Sequence, residues 1–184
     1  MGTSFGRAYL ATLPAQRNVL LVPTAYGGTG LVNGPWSPGG NLFEDAMTRM
    51  QAALNSNAGN CVAAVLWHQG EDDSLRNISQ AAYQQAWTNM VSTMRSRIPT
   101  SAKAPVILGE FTPAWIAQNQ QITAPILSAI RAIPASVGYT AVAPSSTVTS
   151  TNPGGDIIHF DAAAQRSYGQ IYFNTLSTAL QNVK

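Results

Sequence analysis

Short apolar runs alternate with helical segments along most of the chain, and this alternation constrains the fold more than any other feature. Four runs are apolar and bounded by turn-forming residues, as buried strands are; they span residues 18–23, 61–67, 105–110 and 137–143. An amphipathic segment follows each run. Strand–helix alternation repeated four times predicts a parallel sheet with helices on both faces. At 184 residues the chain is expected to form a single α/β domain.

Apolar side chains recur three or four positions apart in four segments, which is the spacing of one face of an α-helix. These predicted helices cover residues 43–54, 83–94, 122–133 and 168–180. A further helix is expected to start at Ser4 and to run to about Leu13. Cys61 opens an apolar run, so its thiol is expected to be buried in the core.

The charge and composition of the chain argue against several classes of partner. Charged residues make up 10% of the sequence and the formal net charge is +2 without a basic run, so no nucleic acid partner is expected. No stretch approaches the roughly 20 apolar residues of a membrane span, so no membrane partner is expected. The polar surface must be formed largely by Asn, Gln, Ser and Thr, which favours an extracellular location, although no signal-peptide pattern opens the sequence.

Polar and acidic residues are concentrated directly after the second predicted strand, in the stretch Trp-His-Gln-Gly-Glu-Asp-Asp-Ser at residues 67–74. In an open α/β sheet, ligands bind at the carboxyl ends of the strands. Capping of the following helix by Asp72 or Asp73 would explain one of the acids. It does not explain three acids and an amide in one short segment, so the stretch is interpreted as part of a functional site.

A second candidate site is the pair Asp156-x-x-His159, which contains one of the two histidines of the chain. A carboxylate that binds one imidazole nitrogen fixes the tautomer of the ring and stabilises its protonated form, as in hydrolytic triads. Alternatively, Asp156 caps the last helix and His159 is a structural residue. The spacing alone leaves both interpretations open.

Three other patterns carry weaker signals. The glycines of Gly27-Gly28-Thr29 either form a tight turn or let backbone N–H groups approach a ligand closely. His68 and Glu71, together with Asp156 and His159, are residue types that bind divalent metals. Their spacing matches no standard zinc pattern, so no metal or cofactor is expected. The match to G-x-S-x-G around Ser4 lacks the strand that must precede a nucleophile elbow, so it is interpreted as accidental.

Taken together, three blocks resemble the sialate O-acetylesterase-like branch of the SGNH hydrolases, carbohydrate esterase family 6. The blocks are Pro23-x-x-x-Gly27-Gly28-Thr29, the Trp-His-Gln-Gly-Glu-x-Asp segment at residues 67–73, and Asp-Ile-Ile-His-Phe with a glutamine five residues later at residues 156–165. The resemblance implies a flavodoxin-like three-layer α/β/α sandwich. It also implies that a serine nucleophile removes acetyl groups from sugar hydroxyls.

The same resemblance implies roles for individual residues. His159 would be the general base and Asp156 its orienting acid. The backbone of Gly27 and Gly28 and the side-chain amide of Gln69 would contribute to the oxyanion hole. Glu71 would be either an anchor of its loop or an alternative acidic partner for the histidine.

One family block, Gly-Gln-Ser-Asn or close to it, is absent from the sequence, and Ser74, Ser145 and Ser146 match nothing in the pattern. In the family this block ends the first strand, which lies inside the sheet between strands 2 and 3, in the order 2-1-3-4-5. The strands at residues 18–23 and 61–67 would then flank a gap, with unpaired backbone groups that each cost about 1–3 kcal/mol. We therefore expect residues 1–184 to be the C-terminal portion of an esterase domain, with the nucleophile on an upstream segment or a second chain.

The sequence thus predicts a carbohydrate O-acetylesterase that acts on an acetylated saccharide or polysaccharide. The alternative is a non-catalytic carbohydrate-binding remnant of the same fold, with Trp36 or Trp115 as a platform on which a sugar ring stacks.

Overall fold

Seven α-helices and three strands follow one another along the chain, and the computed structural model describes all 184 residues. In chain order the elements are α1 (Gly2–Leu10), α2 (Asn41–Asn55), β1 (Val65–Trp67), α3 (Glu71–Leu75), α4 (Gln80–Arg97), β2 (Val106–Gly109), α5 (Pro113–Gln118), α6 (Gln120–Ala132), β3 (Thr140–Ala143) and α7 (Ala162–Gln181). The four helices predicted from apolar spacing correspond to α2, α4, α6 and α7, whereas α1 begins and ends earlier than expected.

The three strands form one parallel sheet in the order β1-β2-β3. Val65 of β1 pairs with Val106 of β2, which pairs in turn with Thr140 of β3. Parallel neighbours need a crossover connection, and helices supply it here: α3 and α4 link β1 to β2, and α5 and α6 link β2 to β3. The predicted α/β class with a parallel sheet is confirmed.

Alternating side chains of the central strand separate two hydrophobic layers. Val106 and Leu108 belong to a large cluster with apolar residues of α2, α4 and α6, whereas Ile107 packs in a second cluster with residues of α1 and α7. Successive strand residues point to opposite faces, so the sheet is buried on both sides. The result is the three-layer α/β/α sandwich that the sequence predicted.

The first predicted strand, residues 18–23, is not formed. The run adopts no regular secondary structure, its backbone N–H groups donate no hydrogen bonds within the protein, and Leu20 is 65% exposed. A strand exists only with a partner, and β1 pairs on one side alone, with β2. The second predicted strand is also shortened to Val65–Trp67, which leaves Cys61 exposed rather than buried.

None of the seven α-helices combines the length and the apolar character that a membrane span requires.

Candidate active site

The two segments singled out in the sequence meet near the carboxyl end of β1. His68 follows β1 directly, and its ring lies against the ring of Phe160 with 5.8 Å between centroids. Phe160 pairs with Thr151 in an antiparallel bridge, so residues 151–160 form a loop whose two ends are joined. This contact brings the loop that carries Asp156 and His159 next to the segment that carries Glu71.

His159 and Asp156 form a direct imidazole–carboxylate pair. Nδ1 of His159 lies 2.9 Å from Oδ2 of Asp156, and Oδ1 of the same carboxylate accepts the backbone N–H groups of Ile158 and His159, each at 3.1 Å. The hydrogen bonds from His159 hold the pKa of Asp156 at about 2, with further contributions from Asn152 and Ile158. Asp156 is therefore ionised at neutral pH and aligned on one nitrogen of the ring.

The other ring nitrogen of His159 is available for chemistry. The side chain of His159 is 67% exposed, and Nε2 has no hydrogen-bond partner within the protein. A carboxylate on Nδ1 favours the tautomer in which Nε2 is an acceptor, which is the form that a general base needs. The alternative in which Asp156 caps the last helix is wrong, because Asp161 caps α7 by accepting the N–H of Ala164 at 2.7 Å.

The carboxylate of Glu71 pairs with His68. Its Oε1 is 3.2 Å from Nε2 of His68, which in turn has Nδ1 3.5 Å from the hydroxyl of Tyr172. Burial of the Glu71 carboxyl acts to raise its pKa, yet the pKa is lowered overall, first by the charge and hydrogen bond of His68 and then by a backbone hydrogen bond. The charge of His159 lowers it further, so Glu71 is within electrostatic reach of the ring that is paired with Asp156.

The side chain of Gln69 is buried and fully engaged. Its Nε2 donates to the backbone oxygen of Thr29 at 3.2 Å and to Oδ2 of Asp73 at 2.7 Å, while its Oε1 accepts from the hydroxyl of Tyr83 at 3.1 Å. Both amide hydrogens are thus donated to acceptors in the protein. A role of Gln69 in the oxyanion hole stays a prediction. In this structure its side-chain amide links Thr29, Asp73 and Tyr83 by hydrogen bonds.

Asp73 does not cap a helix, contrary to one interpretation of the sequence, and neither does Asp72. Gly70 precedes α3 and the hydroxyl of Ser79 caps α4, whereas the carboxylate of Asp73 is inaccessible to solvent. It accepts the backbone N–H groups of Leu31 and Val32, more than 40 positions away. Short-range spacing could not have revealed this partner, because only the fold brings the two segments together.

Gly27 and Gly28 form an exposed turn beside Gln69. The hydroxyl of Thr29 closes the turn by donating to the backbone oxygen of Tyr26 at 2.8 Å, and Gly28 has the left-handed φ of +68° that favours glycine. The backbone N–H groups of both glycines donate to no acceptor in the protein. They are therefore free to donate to a ligand.

None of the serines considered in the sequence stands opposite His159 as a free nucleophile. Ser74 is buried and donates to the backbone oxygen of Gly70, Ser145 is buried beside Glu110, and Ser146 lies in an exposed loop. Ser4 lies inside α1, where it faces Gly169 of α7, so it is not on a strand-to-helix elbow. No group of three His, Cys, Asp or Glu side chains is arranged to hold a metal ion.

A parallel sheet between two helical layers, with an imidazole–carboxylate pair on a loop near its carboxyl edge, is the architecture of an SGNH-type hydrolase. The family model described as carbohydrate esterase, sialic acid-specific acetylesterase, matches residues 1–178. The chain therefore belongs to this family of sialic acid-specific acetylesterases.

Individual proteins are similar to this chain in sequence or in fold. The "probable 9-O-acetyl-N-acetylneuraminic acid deacetylase" of Escherichia coli (strain K12) is 26% identical over 59% of this chain, and the match covers 40% of that protein. The crystal structure of NanS has a TM-score of 0.71 at 19% identity, covering 97% of this chain and 69% of that one. A protein from Arabidopsis thaliana has a TM-score of 0.70 at 18% identity, covering 95% of this chain and 65% of that one. The chain thus spans less than half the length of the curated relative.

Proposed function

We propose that residues 1–184 carry the general base and oxyanion donors of a carbohydrate O-acetylesterase that uses a serine nucleophile. The observation that carries this proposal is the pair formed by Asp156 and His159, with Nε2 of the histidine free and exposed. Family membership supports ester hydrolysis on a carbohydrate. The curated relative is named for a 9-O-acetylated sialic acid, so an O-acetylated sialic acid is the first substrate to test.

In the proposed reaction the serine hydroxyl attacks the acetyl carbonyl and gives its proton to Nε2 of His159. The N–H groups of Gly27 and Gly28 donate to the oxyanion of the tetrahedral intermediate. His159 then returns the proton to the sugar oxygen, which leaves as the free hydroxyl, and the acetyl group stays on the serine. Water hydrolyses this acyl-enzyme with His159 again as base, which releases acetate.

Two carboxylates support His159 in this proposal. Asp156 holds Nδ1 directly and is ionised, so it stabilises the imidazolium that forms when the proton is transferred. Glu71 adds a second negative charge near the same ring, held in place by His68. Asp156 is assigned as the orienting acid because it makes the hydrogen bond, and Glu71 as the second acid that can replace it.

The serine is proposed to lie outside residues 1–184, on a segment that pairs with β1. The edge of β1 opposite β2 has no partner strand, and the apolar side chains of Leu20, Leu21 and Val22 are exposed. An added parallel strand would satisfy the backbone groups of β1 and cover apolar surface. Its carboxyl end would lie at the same edge of the sheet as His68, where a residue could face His159.

The alternative function, a non-catalytic carbohydrate-binding remnant, required Trp36 or Trp115 to stack on a sugar ring. Trp36 is only 7% exposed and donates its ring N–H to the hydroxyl of Thr29, and Trp115 is only 2% exposed and packs edge-to-face against Phe111. Neither ring presents a free face to a sugar, so the prediction of stacking on these tryptophans is wrong.

The test is to measure acetate release by the complete protein from 9-O-acetylated sialic acid and from an activated acetyl ester. His159→Ala should lower kcat by roughly three orders of magnitude or more, as removal of a triad member does. Thr149→Ala is the matched control, because Thr149 lies just before the loop that carries His159, is exposed and makes no side-chain hydrogen bond. Near-full activity of the His159 variant would remove this histidine from the mechanism.

A further inference from the structure

The carboxylate of Asp73 is fully buried and accepts four hydrogen bonds. The donors are the backbone N–H groups of Leu31 at 2.7 Å and Val32 at 3.0 Å, Nε2 of Gln69 at 2.7 Å and Nη2 of Arg76 at 2.7 Å. Burial of a carboxylate is costly unless its oxygens are saturated in this way. The buried carboxylate of Asp73 and the backbone around Leu31 therefore stabilise each other.

The partners of Asp73 hold the same segment at two further points. Gln69 donates to the backbone oxygen of Thr29 at 3.2 Å, and Arg76 donates to the backbone oxygen of Val32 at 2.9 Å. Between them, Gly30 lies so close to Arg76 that a side chain there would collide with Nη2. We call Gln69, Asp73 and Arg76 the Asp73 clamp, since together they fix four backbone groups of residues 29–32.

The clamp ends where the exposed glycine turn begins. The backbone oxygen of Thr29 is the first group that the clamp holds. The free N–H groups of Gly27 and Gly28 directly precede Thr29 in the chain. On the other side, Asp73 of the clamp lies on α3, which also carries Glu71. Glu71 and Asp73 lie two positions apart on this helix. Glu71 faces His68, whereas Asp73 faces the segment of residues 29–32.

We infer that the Asp73 clamp is a positioning device, which fixes the N–H groups of Gly27 and Gly28 relative to the acidic and basic groups of the site. Gln69 then acts through this clamp, because both of its amide hydrogens are committed within it. This inference rests on the proposed function. Asp73 and Arg76 touch no reacting atom, but we expect their replacement to lower kcat and not stability alone.

The deciding variant is Asp73→Asn in the complete protein. The amide keeps the shape of the carboxyl group but replaces one acceptor oxygen with a donor that faces N–H groups. Because misplacement of a catalytic group by about 1 Å can cost roughly 10²-fold, kcat should fall about 10²-fold. KM should change by no more than about twofold, since oxyanion contacts are made in the transition state. Asp45→Asn is the control, because it removes an exposed carboxylate that pairs with Arg49 on α2.

A double variant separates positioning from a purely structural role. Gly28→Ala strains the turn at its φ of +68° without a steric clash, and Gly28 does not contact Asp73. If both changes act through the same N–H groups, the fold-reduction of kcat in the double variant should be much smaller than the product of the fold-reductions in the two single variants. Their effects on the free energy of unfolding should add, because the sites are separate. Multiplicative losses of kcat would overturn the inference.

Three further outcomes are decisive. If Asp73→Asn does not fold, Arg76→Lys serves instead: its side chain is partly exposed, and a kcat equal to that of wild type would overturn the inference. If the wild-type protein releases no acetate, the proposed function fails. If the wild type is active, His159→Ala is inactive and folded Asp73→Asn has unchanged kcat, only the clamp inference fails.

Discussion

The ring of Phe160 packs against the imidazole of His68 with 5.8 Å between centroids, and this contact joins the His159 loop to the end of β1. Phe160 is buried and also packs on Tyr168, with 4.9 Å between the ring centroids. It therefore sets the position of His159, its neighbour in sequence, relative to Glu71.

Phe160→Ala should both destabilise the domain and impair the site. Loss of a buried phenylalanine typically costs about 3–5 kcal/mol. Urea unfolding should show this loss, and kcat should fall under conditions where the variant is still folded. Phe173→Ala, which removes a half-buried ring packed on Phe5, should cost stability with little change in kcat. Equal kcat for both variants would contradict the positioning role of Phe160.

The pairing of Asp156 predicts a defined pH dependence of stability. Its pKa falls from the ordinary value of 3.8 to about 2 in the folded protein, chiefly because of the hydrogen bond with His159. A lowered pKa means that the group contributes stability above pH 3.8, and that this contribution is lost as the pH falls towards 2. Wild type should exceed Asp156→Asn in stability at pH 6, and the difference should shrink from pH 4 downwards and vanish only below pH 2. A difference independent of pH would contradict the pairing.

Glu71 should partly replace Asp156 as the acidic partner of His159. We expect Asp156→Asn to lower kcat less than His159→Ala does, because Glu71 still places a negative charge near the ring. The variant carrying both Asp156→Asn and Glu71→Gln should be worse than either single variant. Steady-state kinetics on an activated acetyl ester would show the order. If Asp156→Asn alone matches His159→Ala, Glu71 has no such role.

His68 should control the ionisation of Glu71 more strongly than His159 does. His68→Gln keeps a hydrogen-bond donor beside Glu71 but removes the charge, so the pKa of Glu71 should rise. His159→Gln is the matched control and should raise that pKa less, because its charge contributes less. Carbon-13 NMR titration of the Glu71 carboxyl measures both shifts. A larger rise in the His159 variant would contradict the arrangement.

Local sequence signals predicted the four longest helices and singled out two segments that the fold brings together, because helical spacing and strand exits are short-range properties. Helices α2, α4, α6 and α7 were predicted, and the segments around Glu71 and His159 do lie together at one edge of the sheet. Residues 18–23 were predicted as a strand on their apolar character alone, but a strand also needs a neighbour, and none is present.

Long-range partners could not be predicted. The sequence suggested a capping role for Asp73, whereas the carboxylate binds backbone groups of residues 31 and 32 across the fold. The same limit applies to His68, whose contacts with Glu71, Phe160 and Tyr168 come from three separate elements. The catalytic roles of His159, Asp156, Gly27, Gly28 and Gln69, and an extracellular location, stay predictions.

The central claim is that His159 activates a serine that lies outside residues 1–184, and covalent labelling tests it most directly. A fluorophosphonate reacts with serines that a neighbouring base activates, and peptide mass spectrometry locates the modified residue. In the complete protein we predict one labelled serine, outside residues 1–184, with a labelling rate that falls at least about 10³-fold in His159→Ala. A label on Ser4, Ser74, Ser145 or Ser146, or a rate that does not depend on His159, would contradict the account.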